Sequence, residues 1–321
     1  MLMRTLVVAA MLSLTFAAQP SGIVRPGAQP PAVELRHLPD VRQVVVTIAG
    51  QPFTTYRYGP DFRDKTAFYP VLAPNGARVN REYPMVPGVT GESADHPHHQ
   101  SMFFAYDEVN GTNFWNPSPS GRRIEQTSLR VDTNALTALL SWKDATGAVV
   151  LEETKRVTFG GDADVSWMDH DITLAATTVP VTMGDTKEGA FAIRLNDTLK
   201  EQGGSGRYIN AEGLETEKGV WGRTSNWVAI RGSVQDGSVA KDVTVAIFAL
   251  PSGHNSPPYW HARAYGLFAV NPFGRKSFDT AAPERVTRLA VGDRTRLGFR
   301  LAVYRGQVTS ARLASDFAAM R

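Results

Sequence analysis

The chain of 321 residues contains no cysteine. This absence excludes disulfide bonds, a thiolate nucleophile and any zinc site that depends on cysteine ligands. It also excludes a lipid anchor attached to a cysteine behind an export signal. The fold must therefore be held together by its hydrophobic core, and a chain of this length can bury a large one.

The sequence also lacks any concentration of charge of one sign. Its 34 Lys and Arg residues and 31 Asp and Glu residues leave a formal net charge of +3, and the basic residues are scattered along the chain. Proteins that bind nucleic acids usually carry a clustered basic patch. We therefore expect no nucleic-acid partner.

Long apolar runs are missing beyond the N-terminus. The first residues combine Arg4, an apolar stretch from Leu6 to Phe16 and the small-x-small sequence Thr15-Phe16-Ala17, which is the pattern of a secretory signal peptide. The stretch is shorter than the roughly 20 residues that span a bilayer. We expect residues 1–17 to be removed, which leaves a periplasmic or secreted protein without a membrane anchor.

Several well-known catalytic motifs are absent as well. The sequence contains no G-x-S-x-G, no H-E-x-x-H, no G-x-x-x-x-G-K-[ST] and no G-x-G-x-x-G behind a strand. These patterns mark serine hydrolases, zinc proteases, nucleotide triphosphatases and dinucleotide-binding enzymes. Their absence argues against all four classes.

What the chain does have is alternation of apolar and polar residues, which indicates half-buried β-strands. A proline-rich stretch at residues 18–35 predicts an extended lead-in, and turn signals such as Pro74-Asn75-Gly76 separate the later segments. We predict a mainly-β fold, a single large antiparallel β-sandwich over residues 36–321. The clearest predicted strand faces are Leu136, Ala138, Leu140 and Trp142, and Leu297, Phe299, Leu301 and Val303.

One helix is predicted, at the C-terminus. Thr309 or Ser310 is suited to cap it, and Leu313, Phe317 and Met320 recur at helical spacing.

Three of the seven histidines lie in the sequence Asp95-His96-Pro97-His98-His99. Pro97 disfavours a helix at His96, so we expect the segment to be extended or turned. If it is extended, His96 and His98 lie on one side and His99 on the other. Histidine can transfer a proton or ligate a metal near neutral pH. The cluster therefore indicates an acid–base site in which Asp95 fixes a histidine tautomer.

Two other interpretations of the histidines stay open. A metal site would use His96 and His98 as an H-x-H pair, with a third ligand from His170 or His261. Alternatively, the histidines are loop residues that bond to the backbone. Either alternative removes the acid–base role.

Two further segments carry side chains suited to a polyhydroxylated ligand. Trp260-His261-Ala262-Arg263 brings together an indole, an imidazole and a guanidinium, in a region, Ser252 to Gly274, that does not follow the strand pattern. Glu188 and Arg194 project to the same side of a predicted strand. Rings can pack on the C–H faces of a sugar, while arginine and carboxylate groups bind hydroxyls.

Long motifs resemble one known family over roughly residues 40 to 305. They are Asp95 to His99, Val109-Asn110-Gly111 with Asn113-Phe114-Trp115, Lys187-Glu188-Gly189, Val220-Trp221-Gly222-Arg223 with Trp227, Tyr259 to Arg263, Tyr265 to Phe268, and Asn271-Pro272-Phe273-Gly274. The chain resembles the exported bacterial family labelled methane-oxygenase PmoA-like. The resemblance implies a large β-sandwich like that of galactose mutarotase, in a family often found near genes for polysaccharide or glycoside breakdown.

The resemblance and the motifs together predict a carbohydrate-active enzyme that acts on a sugar, a keto-sugar or a glycoside by hydrolysis, elimination or epimerisation. We expect no cofactor, although a divalent metal on His96, His98 and His261 is the alternative. The rival function is a non-catalytic glycan-binding module. The predicted catalytic residues are His98, His99, His261, Glu188 and Asp95, and the predicted substrate-binding residues are Arg194, Arg263, Trp115, Trp260 and Asn271.

Overall fold

Alternating apolar side chains build two large antiparallel sheets. The computed structural model describes residues 32–59, 64–251 and 254–320. The predicted signal peptide, residues 1–17, and residues 18–31 of the predicted lead-in lie outside the described residues.

The described strands and helices cover most of these ranges. The strands are β1 (Val33–Leu38), β2 (Gln43–Ile48), β3 (Gln51–Arg57), β4 (Ala67–Val71), β5 (Met102–Tyr106), β6 (Arg123–Val131), β7 (Ala135–Lys143), β8 (Val149–Gly161), β9 (Val165–Ala175), β10 (Val181–Met183), β11 (Gly189–Arg194), β12 (Arg207–Asn210), β13 (Trp227–Asp236), β14 (Val239–Leu250), β15 (Tyr259–Ala262), β16 (Leu267–Asn271), β17 (Thr287–Leu289) and β18 (Arg294–Arg305). The helices are α1 (Thr216–Val220) and α2 (Ser310–Ala318), with a single 3-10 turn at Pro39–Val41.

Each large sheet has eight strands. The front sheet has the order β1-β2-β3-β4-β5-β11-β16-β15, and the back sheet has the order β12-β13-β14-β18-β9-β8-β7-β6. A separate pair joins β10 to β17. The neighbouring strands are antiparallel, so the predicted mainly-β antiparallel sandwich is confirmed.

The core lies between the inner faces of the two sheets. Phe104 of the front sheet lies 6.0 Å from Trp142 of the back sheet, and Phe191 stacks on Phe299 at 4.8 Å. The predicted faces on β7 and β18 are buried here, because alternate residues of a strand point to one side.

The predicted C-terminal helix is confirmed as α2. Thr309 is its cap, and the Thr309 side chain accepts a hydrogen bond of 3.2 Å from the backbone N–H of Arg312. Leu313 and Phe317 pack with Phe248 in a second apolar cluster on the back sheet. Neither helix in the described part of the chain is long and apolar enough to cross a bilayer.

Two sequence boundaries need correction. Strand β1 begins at Val33, so residues 33–35 of the predicted lead-in belong to the front sheet. The segment Ser252 to Gly274 contains β15 and β16, although its sequence does not alternate. The reason is that every residue of β16, of its neighbour β11 and of the next strand β5 is buried, on both faces of the sheet.

A buried ion pair lies in the core beneath these strands. Glu153 Oε1 lies 3.1 Å from Lys155 Nζ, and both side chains are almost fully buried. Glu153 Oε2 also accepts a hydrogen bond of 2.8 Å from Trp142 Nε1. Both charged groups are therefore desolvated, and each is stabilised electrostatically by the other.

We predict that Lys155→Met alone destabilises the fold by about 3 to 5 kcal/mol, because Glu153 then becomes an unpaired buried charge. The double variant Lys155→Met with Glu153→Gln keeps an acceptor for Trp142 and is expected to cost less. Urea unfolding followed by circular dichroism measures both. Equal losses in the two variants would contradict the prediction.

Candidate functional site

The outer face of the front sheet has an unusually flat centre. Residues paired directly across antiparallel strands share a face, and one such row runs Phe103, Ala192, Ala269, His261. The next row pairs Ala105 with Ala190. Together Ala105, Ala190, Ala192 and Ala269 form what we call the alanine floor, and all four have no exposed surface.

The histidine cluster covers one side of the alanine floor as a tight turn, not as an extended segment. His96 has a φ of +47°, and the His99 N–H donates to the His96 carbonyl at 3.0 Å. The rings of His96 and His99 stack at 4.9 Å, and that of His98 meets the His99 ring edge-on at 4.3 Å. The segment is therefore turned, and His99 lies against the other two rings.

Asp95 holds this turn in place through three partners. Its carboxylate accepts hydrogen bonds from Arg81, from Arg194 at 2.7 Å and from His96 Nδ1 at 2.7 Å. Partial burial raises the pKa of Asp95, but the positive charge of Arg194 and the three hydrogen bonds outweigh it and keep the pKa below its usual value. Asp95 therefore orients His96, and not His98 or His99.

Arg194 is a positioning residue and not the predicted ligand contact. Its side chain is 1 % exposed and lies over the ring of Tyr265 at 4.8 Å. One of its terminal nitrogens lies 3.3 Å from Nδ1 of His99. Because a guanidinium can only donate, that Nδ1 is the acceptor and the His99 proton is on Nε2.

His99 is likewise enclosed. It is 1 % exposed, and burial together with the charges of His98 and Arg194 holds its pKa well below the usual value. The ring of Trp115 lies against it at 5.9 Å and is itself fully buried. His99 therefore packs against His96 and His98 and is not open to solvent. Trp115 has no exposed surface on which a sugar could stack.

His98 is half-buried, and a buried lysine lies near it. Burial, followed by the charge of Lys65, lowers the pKa of His98 to about 3. The ammonium of Lys65 donates to the Trp115 carbonyl at 3.3 Å and lies 5.2 Å from the centre of the Phe103 ring. Burial lowers the pKa of Lys65 to about 8. Nothing in the sequence around Lys65 indicates this placement.

Glu188 and His261 meet on the other side of the alanine floor. Glu188 Oε2 lies 3.8 Å from His261 Nδ1, and that buried nitrogen has no hydrogen-bond partner among the described residues. Burial raises the pKa of Glu188, Lys187 lowers it, and Asp107 raises it further. Burial, then the charges of Lys187 and Arg263, lowers the pKa of His261 to about 3.

Asp107 is a second carboxyl group that the sequence pattern did not indicate. It lies two residues beyond Ala105, just after the end of β5, and is half-buried. Burial raises its pKa, although the Thr186 hydroxyl donates to it at 3.2 Å. The site therefore contains two carboxyl groups, Asp107 and Glu188, that favour their protonated forms more than usual.

The loop that carries Glu188 is fixed by its backbone. Asp185 accepts hydrogen bonds from the backbone N–H groups of Arg275, Lys276, Ser277 and Arg285. Asn271 Nδ2 donates to the Thr186 carbonyl at 2.9 Å. Gly189 is required because a Cβ atom there would lie 2.2 Å from the ring of Tyr106.

Two predicted substrate contacts are wrong. Asn271 has no exposed surface and uses its amide on the backbone of residues 186, 187, 273 and 274. Trp260 also has no exposed surface. Its ring packs 6.0 Å from Phe268, and its Nε1 donates to the Ser225 carbonyl. Trp260 and His261 are neighbours in β15, so their side chains point to opposite faces.

Two partly exposed residues, Tyr265 and Arg263, connect the histidine turn with the region around Glu188. The ring of Tyr265 stacks on His96 at 5.0 Å, and Glu188 interacts electrostatically with both. Arg263 lies 5.7 Å from the centre of the Tyr265 ring and forms an ion pair of 2.8 Å with Glu217. Tyr265 is part of the motif Tyr265 to Phe268, but its sequence context does not indicate that it contacts His96.

The alternative metal site does not form. Among the residues that the structure describes, no three histidine or carboxylate side chains are arranged to hold a metal ion. His98 and His261 lie on different sides of the alanine floor. His170 lies in the core between the sheets, 4.8 Å from Phe191.

We predict that Asp95→Asn destabilises the protein by about 3 kcal/mol, because Arg81 and Arg194 lose the carboxylate that pairs with them. The stabilisation from Asp95 is present above its unfolded pKa and is lost as the pH falls through the lowered folded pKa. The difference between variant and wild type should thus shrink below about pH 4. Thermal unfolding at several pH values measures it, and a difference independent of pH would contradict the assignment.

Comparisons with solved structures find weak likenesses. A β-arabinopyranosidase matches with a TM-score of 0.37 and 11 % identity, over 85 % of this chain and 38 % of that one. An α-galactosidase from Lactobacillus brevis matches with a TM-score of 0.39 and 9 % identity, over 86 % and 40 %. A GalM/aldose epimerase homologue from C. elegans matches with a TM-score of 0.33 and 8 % identity, over 83 % and 97 %. At these TM-scores the likenesses carry no argument about activity.

The comparison with protein families is stronger. No curated protein matches the chain, and nothing in the comparisons supports the methane-oxygenase PmoA-like label. A family match covers residues 43–318, which includes the whole site and nearly all of both sheets. The chain belongs to the family of unknown function DUF6807.

Proposed function

We propose that the chain is a carbohydrate-active enzyme in which Glu188 and His261 transfer protons to and from a sugar. One observation carries the proposal: a buried, unpartnered imidazole nitrogen lies 3.8 Å from a carboxyl group whose pKa is raised. Proton-transfer catalysts work best when their pKa is moved toward the working pH, and the raised pKa of Glu188 is a shift in that direction. The lowered pKa of His261 makes it a weaker base than an ordinary histidine.

The opposite pKa shifts assign different states to the two groups. His261 is neutral at pH 7, since its pKa is near 3, and its free Nδ1 is a proton acceptor. Glu188 holds a proton to a higher pH than an ordinary glutamate does. Before substrate binds, His261 is therefore the base and the protonated fraction of Glu188 is the acid.

The half-exposed groups around this pair are suited to hold hydroxyls. His96, His98, Arg263 and Tyr265 are each partly exposed, and they supply donors, acceptors and one aromatic ring. This set replaces the predicted contacts Trp115, Trp260 and Asn271. Substrates of the proposed class are sugars, keto-sugars and glycosides, and hydrolysis, elimination and epimerisation all need such an acid–base pair.

We also propose that the protein is exported to the periplasm or beyond, on the basis of residues 1–17. Cell fractionation with and without these residues tests the point. Retention of the full chain in the cytoplasm would contradict it.

We predict that Glu188→Gln and His261→Asn each lower kcat by about 10²- to 10⁴-fold, because each removes one member of the proton-transfer pair. The substrates are a panel of reducing sugars, keto-sugars and aryl glycosides, followed by proton NMR in D₂O. Glu34→Gln, an exposed glutamate on the far edge strand β1, is the matched control and should retain wild-type activity.

Binding without turnover across the panel, with little change between pH 5 and 8, would replace the proposal with the glycan-binding module. Wild-type kcat in both folded variants would also overturn it.

We predict that the pH dependence of kcat/KM reports the raised pKa of Glu188. Because Glu188 is the proposed acid, activity should fall as the pH rises through that pKa, which lies above the ordinary value of 4.5. This limb should be absent from any residual activity of Glu188→Gln. A limb that persists there, or activity that rises with pH through this range, would contradict the assignment.

A further inference from the structure

A groove of about 550 Å³ lies at the end of the front sheet. Its lining residues are Lys218, Trp221, Arg223, Tyr259, Phe278 and Asp279, with backbone from the neighbouring positions. The rings of Tyr259 and Phe278 stack at 5.4 Å, and Trp221 meets Phe278 edge-on at 6.1 Å. We call it the aromatic groove.

The aromatic groove adjoins the proposed acid–base pair. Tyr259 and His261 are two residues apart in β15, so their side chains leave the same face of the sheet. The Phe278 ring lies 6.2 Å from the His261 ring. Arg263 lies 5.7 Å from the Trp221 ring on one side and 5.7 Å from the Tyr265 ring on the other. The groove is therefore adjacent to the acid–base pair, which does not itself line it.

The backbone fixes the position of Trp221. Residues 222–225 run along the outer edge of β15, where the Gly222 N–H donates to the Trp260 carbonyl at 2.9 Å and Trp260 donates to the Arg223 carbonyl at 3.2 Å. Gly222 has a φ of +65°, which favours glycine. The chain thus turns directly after Trp221 and holds its ring at the groove.

The exposure of the tryptophans distinguishes this groove from the core. Trp115, Trp142 and Trp260 are fully buried, whereas Trp221 is partly exposed. The Nε1 of Trp221 has no hydrogen-bond partner among the described residues. A half-exposed ring beside charged groups of both signs is suited to a ligand with C–H faces and hydroxyl edges.

We propose that the aromatic groove binds a second sugar unit, so that the substrate is an oligosaccharide or glycoside that extends past the acid–base pair. The size of the groove falls within the range of small-molecule sites, about 300–1,000 Å³. Trp221 and Tyr259 supply apolar surface for the sugar ring. Lys218, Arg223 and Asp279 supply hydrogen bonds to its hydroxyls. The link to catalysis rests on the proposed function, whereas the binding role does not.

The test is calorimetric titration of wild type and Trp221→Ala with gluco-, xylo- and galacto-oligosaccharides of one to four units. Affinity for ligands of two or more units should fall at least 10-fold in Trp221→Ala, while affinity for single sugars stays the same. Trp167→Ala is the control, since Trp167 is a half-exposed tryptophan on the back sheet that lies against Arg300. This control should bind all ligands like wild type, and thermal unfolding checks that both variants fold.

A second variant separates this inference from the proposed function. Glu188→Gln should lose turnover and keep its affinity for the longer ligands. If Glu188→Gln retains turnover while Trp221→Ala loses affinity, the groove proposal is supported and the acid–base proposal is contradicted. Equal affinity of wild type and Trp221→Ala for every ligand, or no binding of any ligand by wild type, overturns the groove proposal.

Discussion

The site depends on one ionic cluster, in which the carboxylate of Asp95 pairs with two arginines. Arg81 and Arg194 are almost fully buried and come from distant parts of the chain. Buried cations are costly unless a carboxylate and further hydrogen bonds compensate them. Because Asp95 lies directly before the histidines, satisfying these cations also fixes the turn that carries His96, His98 and His99.

The same cations determine which groups in the site can titrate. Arg81, Arg194 and Lys65 add to the effect of burial and keep His98 in its neutral form. The carboxyl groups of Glu188 and Asp107 shift in the opposite sense, because their burial is only partly offset by positive charge. The histidine cluster therefore provides neutral donors and acceptors. The carboxyl groups on the other side of the alanine floor keep their protons to a higher pH than ordinary carboxyl groups do.

Sequence reasoning succeeded where a strand has one apolar face, and failed where both faces are buried. β7, β18 and α2 show clear periodicity, and their predicted faces are correct. β15 and β16 have no such alternation because loops cover their outer face, so the sequence pattern does not predict these two strands. For the same reason the sequence does not show that Trp260 lies on the inner face, since residue type alone does not identify the face of a strand that a residue occupies. Lys65 and Asp107 reach the site only through the fold, and no local pattern indicates them.

The alanine floor distinguishes the outer face of the front sheet from its inner face. On the inner face, the same strands carry Phe104, Phe191 and Phe268, which fill the space between the sheets. On the outer face the four central side chains end at Cβ, so the covering loops pack against small side chains and not against large apolar groups. The large polar side chains lie at its rim, where Glu188 and His261 are neighbours on the same side. Small residues at the centre thus let the loops pack closely onto the sheet, while the partly exposed groups lie around them.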